Sequence, residues 1–163
     1  MPGKLGRGPA NPLANVTGMS EISDVADRLA IIETITKMFV YCDQKRWDDL
    51  LGVFTEKVDF DGGFGGAAAV RDAADIVGDW RTGLGDLDAL QHQSGNHLIE
   101  LRGDTAKVHA DSIAVHVKND AVHGKTRTFI GSYDLAVERG GDGWRVSKFH
   151  YLLKAIEGNA DLT

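Results

Sequence analysis

Apolar residues near the start of the chain recur at the three- and four-residue spacing of an amphipathic helix. Six of them share one helical face: Val25, Leu29, Ile32, Ile35, Phe39 and Cys42. Ser20 or Ser23 can cap this helix, because a serine hydroxyl accepts hydrogen bonds from the free N–H groups of a first turn. We therefore expect a long helix that begins near one of these serines and ends at Asp43. Three further elements are predicted before the sheet: a helix over 47–54, a strand over 58–60 and a helix over 70–80.

From Leu90 onward the apolar period changes to two, which is typical of strands. Four strands are predicted, over 91–101, 105–118, 125–138 and 144–153. Glycine-containing turns at 103–104 and 140–143 join successive strands. Helices first and a sheet last predict an α+β fold in the order α-α-β-α-β-β-β-β, with the helices packed on one face of an antiparallel sheet.

Residues 1–19 contain all three prolines and lack an apolar period, so they are expected to form a flexible N-terminal tail. An arm that wraps a neighbouring subunit is the functional alternative for this tail. The rest is expected to form a single domain over 20–158, with a short C-terminal tail over 159–163. The glycine-rich segment 61–66 lacks the Lys-Ser/Thr ending of a phosphate-binding loop, and we interpret it as a turn or a mobile lid.

Length, charge and cysteine content narrow the class of protein. The chain has 163 residues, enough for one domain with a full core. Its net charge of -6 and scattered basic residues argue against nucleic acid as a partner. No apolar run reaches membrane-spanning length, so no membrane partner is expected. A single cysteine, Cys42, permits no internal disulfide and favours a reducing compartment, and with no secretory signal recognised the expected location is the cytoplasm.

Strand alternation predicts a cavity. One face of the predicted strand 105–118 carries mostly small side chains: Val108, Ala110, Ser112, Ala114 and His116. Small side chains under a covering helix leave space unfilled, so we expect a cavity with His116 on its wall. Two more faces are expected to point inward: His92, Ser94, Asn96 and Leu98 on the preceding strand, and Phe129, Gly131, Tyr133 and Leu135 on the following one.

Asp43, His92 and His116 converge on this expected cavity. A carboxylate beside two imidazoles in an apolar pocket can carry out proton transfer without any cofactor. Each residue alone also has an ordinary interpretation, with Asp43 as a solvated turn residue and either histidine as structural. Two histidines and a carboxylate can hold non-haem iron. That alternative stays open, although the sequence has no HExxH, no His-x-His and no cysteine pair, and no metal site is predicted.

Five segments form a recognisable set: 24–33 (DVADRLAIIE), 41–50 (YCDQKRWDDL), 91–97 (QHQSGNH), 131–134 (GSYD) and 142–145 (DGWR). Together they resemble the SnoaL-like branch of the nuclear transport factor 2-like superfamily, also called the cystatin-like fold, over about residues 23–153. The resemblance implies a cone-shaped curved sheet wrapped around the long N-terminal helix, with a cavity at the open end of the cone. It also implies a homodimer or a homotrimer.

Within this superfamily, the site pattern resembles those of the scytalone dehydratases and the hexachlorocyclohexane dehydrochlorinases. Both have an aspartate at the position of Asp43 and a histidine at that of His92, and the scytalone dehydratases have a second histidine at His116. Other site positions of those enzymes differ here and hold Cys42, Phe60, Tyr133 and Met38. The resemblance therefore implies acid–base chemistry and leaves the substrate open.

The leading hypothesis is a cofactor-independent lyase or isomerase, of the dehydratase type, acting on a small apolar or cyclic molecule held in the cavity. Asp43 would orient His92, His92 would remove a proton from carbon, and His116 would protonate the leaving group or stabilise an oxyanion. The residues expected to contact the substrate are Tyr133, Asn96, Phe60, Tyr41 and Phe129. A non-catalytic small-molecule-binding or accessory module of the same fold is the alternative, and a metal-dependent oxygenase is a third.

Overall fold

The computed structural model describes residues 12–163 of the chain, with side chains from residue 21 onward. This part of the chain contains three helices, α1 (Pro12–Asp43), α2 (Trp47–Leu51) and α3 (Ala73–Leu84). It also contains six strands, β1 (Phe54–Asp61), β2 (Ala69–Asp72), β3 (Ala89–Arg102), β4 (Thr105–Val117), β5 (Thr126–Gly140) and β6 (Gly143–Gly158). None of the helices within 12–163 combines the length and the hydropathy that crossing a lipid bilayer requires.

The six strands form one curved, unclosed sheet in the order β2-β1-β6-β5-β4-β3. Neighbouring strands are antiparallel except for β1 and β6, which are parallel. Helix α1 packs against β3 and β6, and α3 packs against β1 and β2. The predicted α+β class, with a curved sheet and a long N-terminal helix, is therefore confirmed.

The core lies between the second half of α1 and the sheet. Ile31, Ile35 and Met38 are fully buried, while Val25 and Leu29 remain more than half exposed. The apolar face predicted for this helix is therefore only partly buried, with Val25 and Leu29 exposed and full burial beginning at Ile31. Burial concentrates on the turns that lead to Asp43, which fixes the C-terminal end of α1 against the sheet.

Several element boundaries differ from the sequence prediction, among them the starts of α1 and α3, the end of α2, both ends of β1 and the end of β6. Helix α1 begins at Pro12 rather than near Ser20 or Ser23, since proline is accommodated in a first turn, where its missing N–H needs no partner. Residues 1–11 of the predicted tail lie outside the described residues. The predicted helix 70–80 begins only at Ala73, because the residues before it form β2 and pair with β1, as Val70 does with Asp59. Tertiary strand pairing overrides the local helical spacing there.

The C-terminal segment 159–163 packs onto the domain. Leu162 is 3% exposed, and the Asn159 backbone N–H donates to the Thr126 carbonyl oxygen at 2.9 Å. The carbonyl oxygen of Ala160 accepts a hydrogen bond from the Arg127 guanidinium at 2.9 Å. The segment predicted as a short tail therefore helps to position a side chain of β5 that borders the site.

Candidate active site

Asp43 and His92 form a hydrogen-bonded pair between the end of α1 and β3. The Asp43 Oδ1 atom lies 2.6 Å from His92 Nδ1, and the His92 backbone N–H donates to Asp43 Oδ2 at 2.8 Å. Their side chains are only 12% and 14% exposed, for His92 and Asp43 respectively. Because a carboxylate accepts hydrogen bonds, this contact places the ring proton on Nδ1 and leaves the Nε2 lone pair of His92 free to act as a base.

Packing holds the imidazole of His92 in this orientation. The Phe39 ring stacks against it, with ring centroids 5.5 Å apart and an interplanar angle of 17°. Phe39 lies one helical turn before Asp43 on α1, so the same helix supplies both the stacking ring and the carboxylate. His92 is thus fixed by two contacts from one rigid element, which is the arrangement that a positioned base requires.

His116, on β4, lies beside His92 with ring centroids 5.7 Å apart. Its side chain is buried, at 5% exposure, and Arg127 Nε donates a hydrogen bond to its Nδ1 at 3.1 Å. Burial, followed by the neighbouring His92 and the Arg127 cation, lowers the pKa of His116 to about 3, although the Asp43 carboxylate opposes this shift. His116 therefore stays neutral at physiological pH, and its Nε2 atom is buried with no hydrogen-bond partner among the described residues.

The two histidines line a cavity of about 370 Å³. Eight of its 18 lining residues are aromatic, namely Phe39, Phe60, Phe64, Trp80, Phe129, Tyr133, Phe149 and Tyr151. The small side chain predicted to leave room, Ala114, lies on the same wall next to His116. A flat apolar molecule fits such a lining, because aromatic rings offer large apolar faces for stacking.

Tyr151 adds a polar group to this apolar wall. Its ring occupies the space directly over Gly131 on the neighbouring strand, where any Cβ would collide with the ring and the hydroxyl. The hydroxyl oxygen is buried and has no hydrogen-bond partner among the described residues. Buried polar groups are rarely left unpaired, so this hydroxyl, like the Nε2 atom of His116, is a candidate to bind a polar group of a ligand.

Phe60, Phe129 and Tyr133 lie on the cavity wall, where the sequence analysis expected them. Burial raises the pKa of the Tyr133 phenol well above its usual range, so this hydroxyl stays protonated. The structure therefore brings together Asp43, His92 and His116 with three of the five residues expected to contact a substrate.

Asn96 does not reach the cavity, contrary to expectation. It is exposed, and its side-chain amide donates to Asp111 Oδ2 at 2.9 Å. The pairing of β3 with β4 shifts register between Gly95 and Leu98, and Asn96 has a φ of 53°. This irregularity reverses the alternation, so Leu98 also points outward, against the prediction.

Tyr41 is also placed away from the cavity. It borders a separate cleft, and the Arg46 guanidinium lies 4.3 Å above its ring. Helix geometry explains the difference, because a residue two positions from Asp43 is rotated by about 200° around the axis of α1. The carboxylate and the phenol therefore face opposite sides of the helix.

Arg127 and Tyr151 were missed by the sequence analysis. Arg127 continues the alternation of Phe129, Gly131 and Tyr133 by one step toward the start of β5, so that signal was available in the sequence. Tyr151 lies on β6, for which no inward face had been assigned. Cys42 also lines the cavity, but burial and then the Asp43 charge raise the pKa of its thiol to about 12, which disfavours a nucleophilic thiolate.

The candidate residues are engaged in contacts that do not resemble a metal site. Asp43 and His92 bond each other, and the Nδ1 atom of His116 faces the Arg127 cation. Among the side chains that the structure describes, from residue 21 onward, no three of His, Cys, Asp or Glu are grouped as potential ligands. The geometry of the described residues suits proton transfer better than ligation.

The long N-terminal helix packed against a curved, unclosed six-stranded sheet has the cystatin-like α+β architecture that the sequence analysis predicted. The chain belongs to the SnoaL-like domain family, whose model matches residues 23–150. This confirms the family predicted from the five sequence segments. No curated protein is significantly similar to the chain in sequence.

Solved structures of several bacterial proteins share this fold. The Kfla4162 protein from Kribbella flavida is 28% identical, with a TM-score of 0.78 over 85% of this chain and 97% of that one. A Novosphingobium aromaticivorans protein provisionally named an aromatic ring hydroxylase is 27% identical, with a TM-score of 0.74 over 85% and 96% of the two chains. Another protein of that organism, provisionally named a scytalone dehydratase, is 14% identical with a TM-score of 0.74, over 85% and 91%, and shows the fold alone.

Burial of His116 should make the folded protein less stable as the pH is lowered. Its folded-state pKa of about 3 lies below the ordinary value of 6.5, so between these values the unfolded chain binds a proton that the folded chain does not. The free energy of unfolding, measured by urea titration from pH 7 to pH 4, should therefore decrease as pH decreases. His116→Gln should reduce this slope by up to about 1.4 kcal/mol per pH unit. His123→Gln, at an exposed loop position, should leave the slope unchanged, and equal slopes in all three proteins would refute the explanation.

Gly131→Ala should displace the Tyr151 ring. The added methyl group would overlap that ring, so we expect a loss of about 1–3 kcal/mol in the free energy of unfolding. Gly95→Ala is the matched control within the sheet, since its Cβ would meet nothing within 4 Å. Urea unfolding of both variants checks the expectation, which fails if the two changes have equal effects.

Proposed function

We propose that the protein is a cofactor-independent lyase or isomerase that removes a proton from carbon in a small, mostly apolar, cyclic molecule. The observation that carries this proposal is the 2.6 Å contact between Asp43 and His92 on the wall of an aromatic cavity. A histidine whose Nδ1 is held by a carboxylate presents its other nitrogen as a general base. The fold neighbour provisionally named a scytalone dehydratase lends support to lyase chemistry of this kind.

The reaction that fits this geometry is an elimination. His92 Nε2 takes a proton from a carbon atom next to an electron-withdrawing carbonyl, and Asp43 stabilises the imidazolium that forms. A carbon–carbon double bond forms as the bond to the leaving group breaks. His116, one ring away from the base, contacts the oxygen on which negative charge develops.

The unpartnered polar atoms near the cavity indicate a substrate that carries oxygen. His116 Nε2 and the Tyr151 hydroxyl belong to residues of the cavity wall and are buried without partners among the described residues. A hydroxyl or carbonyl oxygen on the ligand would satisfy such groups, whereas a carbon-bound halogen is a poor hydrogen-bond acceptor. We therefore favour loss of water over loss of halide.

A non-catalytic small-molecule-binding module is the second candidate. It is supported by the lining itself, because eight aromatic rings around a cavity of this size can hold an apolar ligand without any chemistry. In that case the Asp43–His92 contact would serve only to join α1 to β3.

Asp43→Asn should lower the rate of elimination by about 10²–10⁴-fold, because His92 loses the carboxylate that orients its ring and stabilises its imidazolium. The assay follows enone absorbance when the purified protein is incubated with a panel of cyclic β-hydroxy ketones. The matched control is Asp59→Asn, which alters a second aspartate–histidine contact, with His150 at 2.9 Å, away from the cavity. The control should retain the wild-type rate.

The two candidate functions predict different results in this assay. Elimination by the wild type with equal rates for Asp43→Asn and Asp59→Asn would contradict the role of the pair. If no panel compound is turned over while several quench the fluorescence of Trp80 on the cavity wall, the binding module is the better account.

A further inference from the structure

A charged side chain touches one of the two site imidazoles, and the mechanism above does not use it. Arg127, on β5, donates from Nε to His116 Nδ1 at 3.1 Å. The guanidinium lies 5.1 Å above the Phe129 ring and donates from a second nitrogen to the Ala160 carbonyl oxygen. Among the described residues it has no carboxylate within 4 Å, so its strongest polar neighbours are these two acceptors.

This contact determines which nitrogen of His116 carries the proton. A guanidinium remains protonated and can only donate, so Nδ1 must provide a lone pair. In a neutral imidazole the proton is then on Nε2. That nitrogen is the buried atom without a partner among the described residues, and it belongs to a ring on the cavity wall.

We propose that Arg127 is a positioning residue that holds His116 as a neutral imidazole protonated on Nε2, so that His116 donates a hydrogen bond to a substrate oxygen without releasing its proton. The part of this inference that concerns the reaction rests on the proposed function. The two histidines then differ in kind: a carboxylate makes His92 a base at Nε2, and a guanidinium makes His116 a donor at Nε2.

The charges around His116 agree with this assignment. The groups that act on it are the His92 ring from β3, the Arg127 cation from β5 and the Asp43 carboxylate from α1. Two of the three, together with burial, disfavour an imidazolium, and the carboxylate is already occupied by two hydrogen bonds from His92. A second cation next to Arg127 would be repelled, so a neutral donor is the stable form.

The consequence for the elimination is that the leaving oxygen must obtain its proton elsewhere. The proton taken from carbon resides on His92 after the carbon–hydrogen bond breaks. As the carbon–oxygen bond breaks and the double bond forms, the departing hydroxide takes that proton from the His92 imidazolium and leaves as water. His92 returns to its neutral form, and His116 keeps its own proton throughout.

Long-range ¹H–¹⁵N NMR of the full chain, labelled with ¹⁵N, reads the tautomer directly. The His116 signals are identified by their loss in His116→Gln. In the wild type they should show a protonated Nε2 and an unprotonated Nδ1, with no change between pH 5 and pH 8. A wild-type His116 protonated on Nδ1, or titrating within this range, would overturn the inference regardless of how any variant behaves.

Arg127→Met removes the donor and keeps most of the aliphatic length. We expect His116 in this variant to change from the single Nε2–H form to a mixture of tautomers, and Arg127→Lys to retain more of that form because a cationic donor remains. Arg71→Met is the matched control, since Arg71 lines the same cavity but bonds Asp79 instead. An unchanged tautomer in Arg127→Met, or an equal change in Arg71→Met, would refute the role of Arg127.

The same variants separate this inference from the proposed function. If Arg127→Met alters the tautomer and also lowers elimination at least tenfold with little change in KM, both stand. If the tautomer changes as expected but neither the wild type nor any variant eliminates water from the panel, the positioning by Arg127 stands and the proposed reaction fails. If elimination occurs while the tautomer is insensitive to Arg127, the reaction stands and the positioning fails.

Discussion

The two hydrogen bonds between Asp43 and His92 are the interaction on which the rest of the site depends. They tie the last residue of α1 to the second inward position of β3, so helix and sheet meet at a fixed point. The buried turns of α1 between Ile31 and Cys42 hold the helix in place for this contact. The same helix end supplies Phe39, which stacks on the imidazole. The packing of α1 in the core therefore also determines the orientation of His92, the candidate base.

The imidazoles of His92 and His116 lie 5.7 Å apart and differ chemically, because each is hydrogen-bonded to a group of opposite charge to the other's partner. The Nδ1 atom of His92 faces a carboxylate and the Nδ1 atom of His116 faces a guanidinium. A negative neighbour favours taking up a proton, and a positive neighbour in a buried setting prevents it. This pairing gives one acceptor and one donor toward the cavity, which is the minimum that a proton-transfer site needs.

The sequence predicted those features that follow from regular periodicity. Alternation along β4 placed Ala114 and His116 inward, and the segments around Asp43 and His92 identified the family. The sequence-based predictions failed where a strand is irregular or where a contact joins segments that are distant in sequence. The register shift at Gly95 turned Asn96 outward, Tyr41 was assigned to the cavity without regard to its angle around α1, and β2 formed because Val70 pairs with β1. Arg127 continues the inward alternation of β5 and could have been included, but its contact with His116 on β4 cannot be inferred from either strand alone.

The central claim is that Asp43 holds the proton of His92 on Nδ1 and leaves Nε2 bare toward the cavity. Neutron diffraction from a deuterated crystal at pH 8 tests this claim most directly, because it locates each ring deuteron. The account predicts a deuteron between His92 Nδ1 and Asp43 Oδ1 and none on His92 Nε2. A deuteron on Nε2, with Nδ1 accepting from a protonated Asp43, would contradict it.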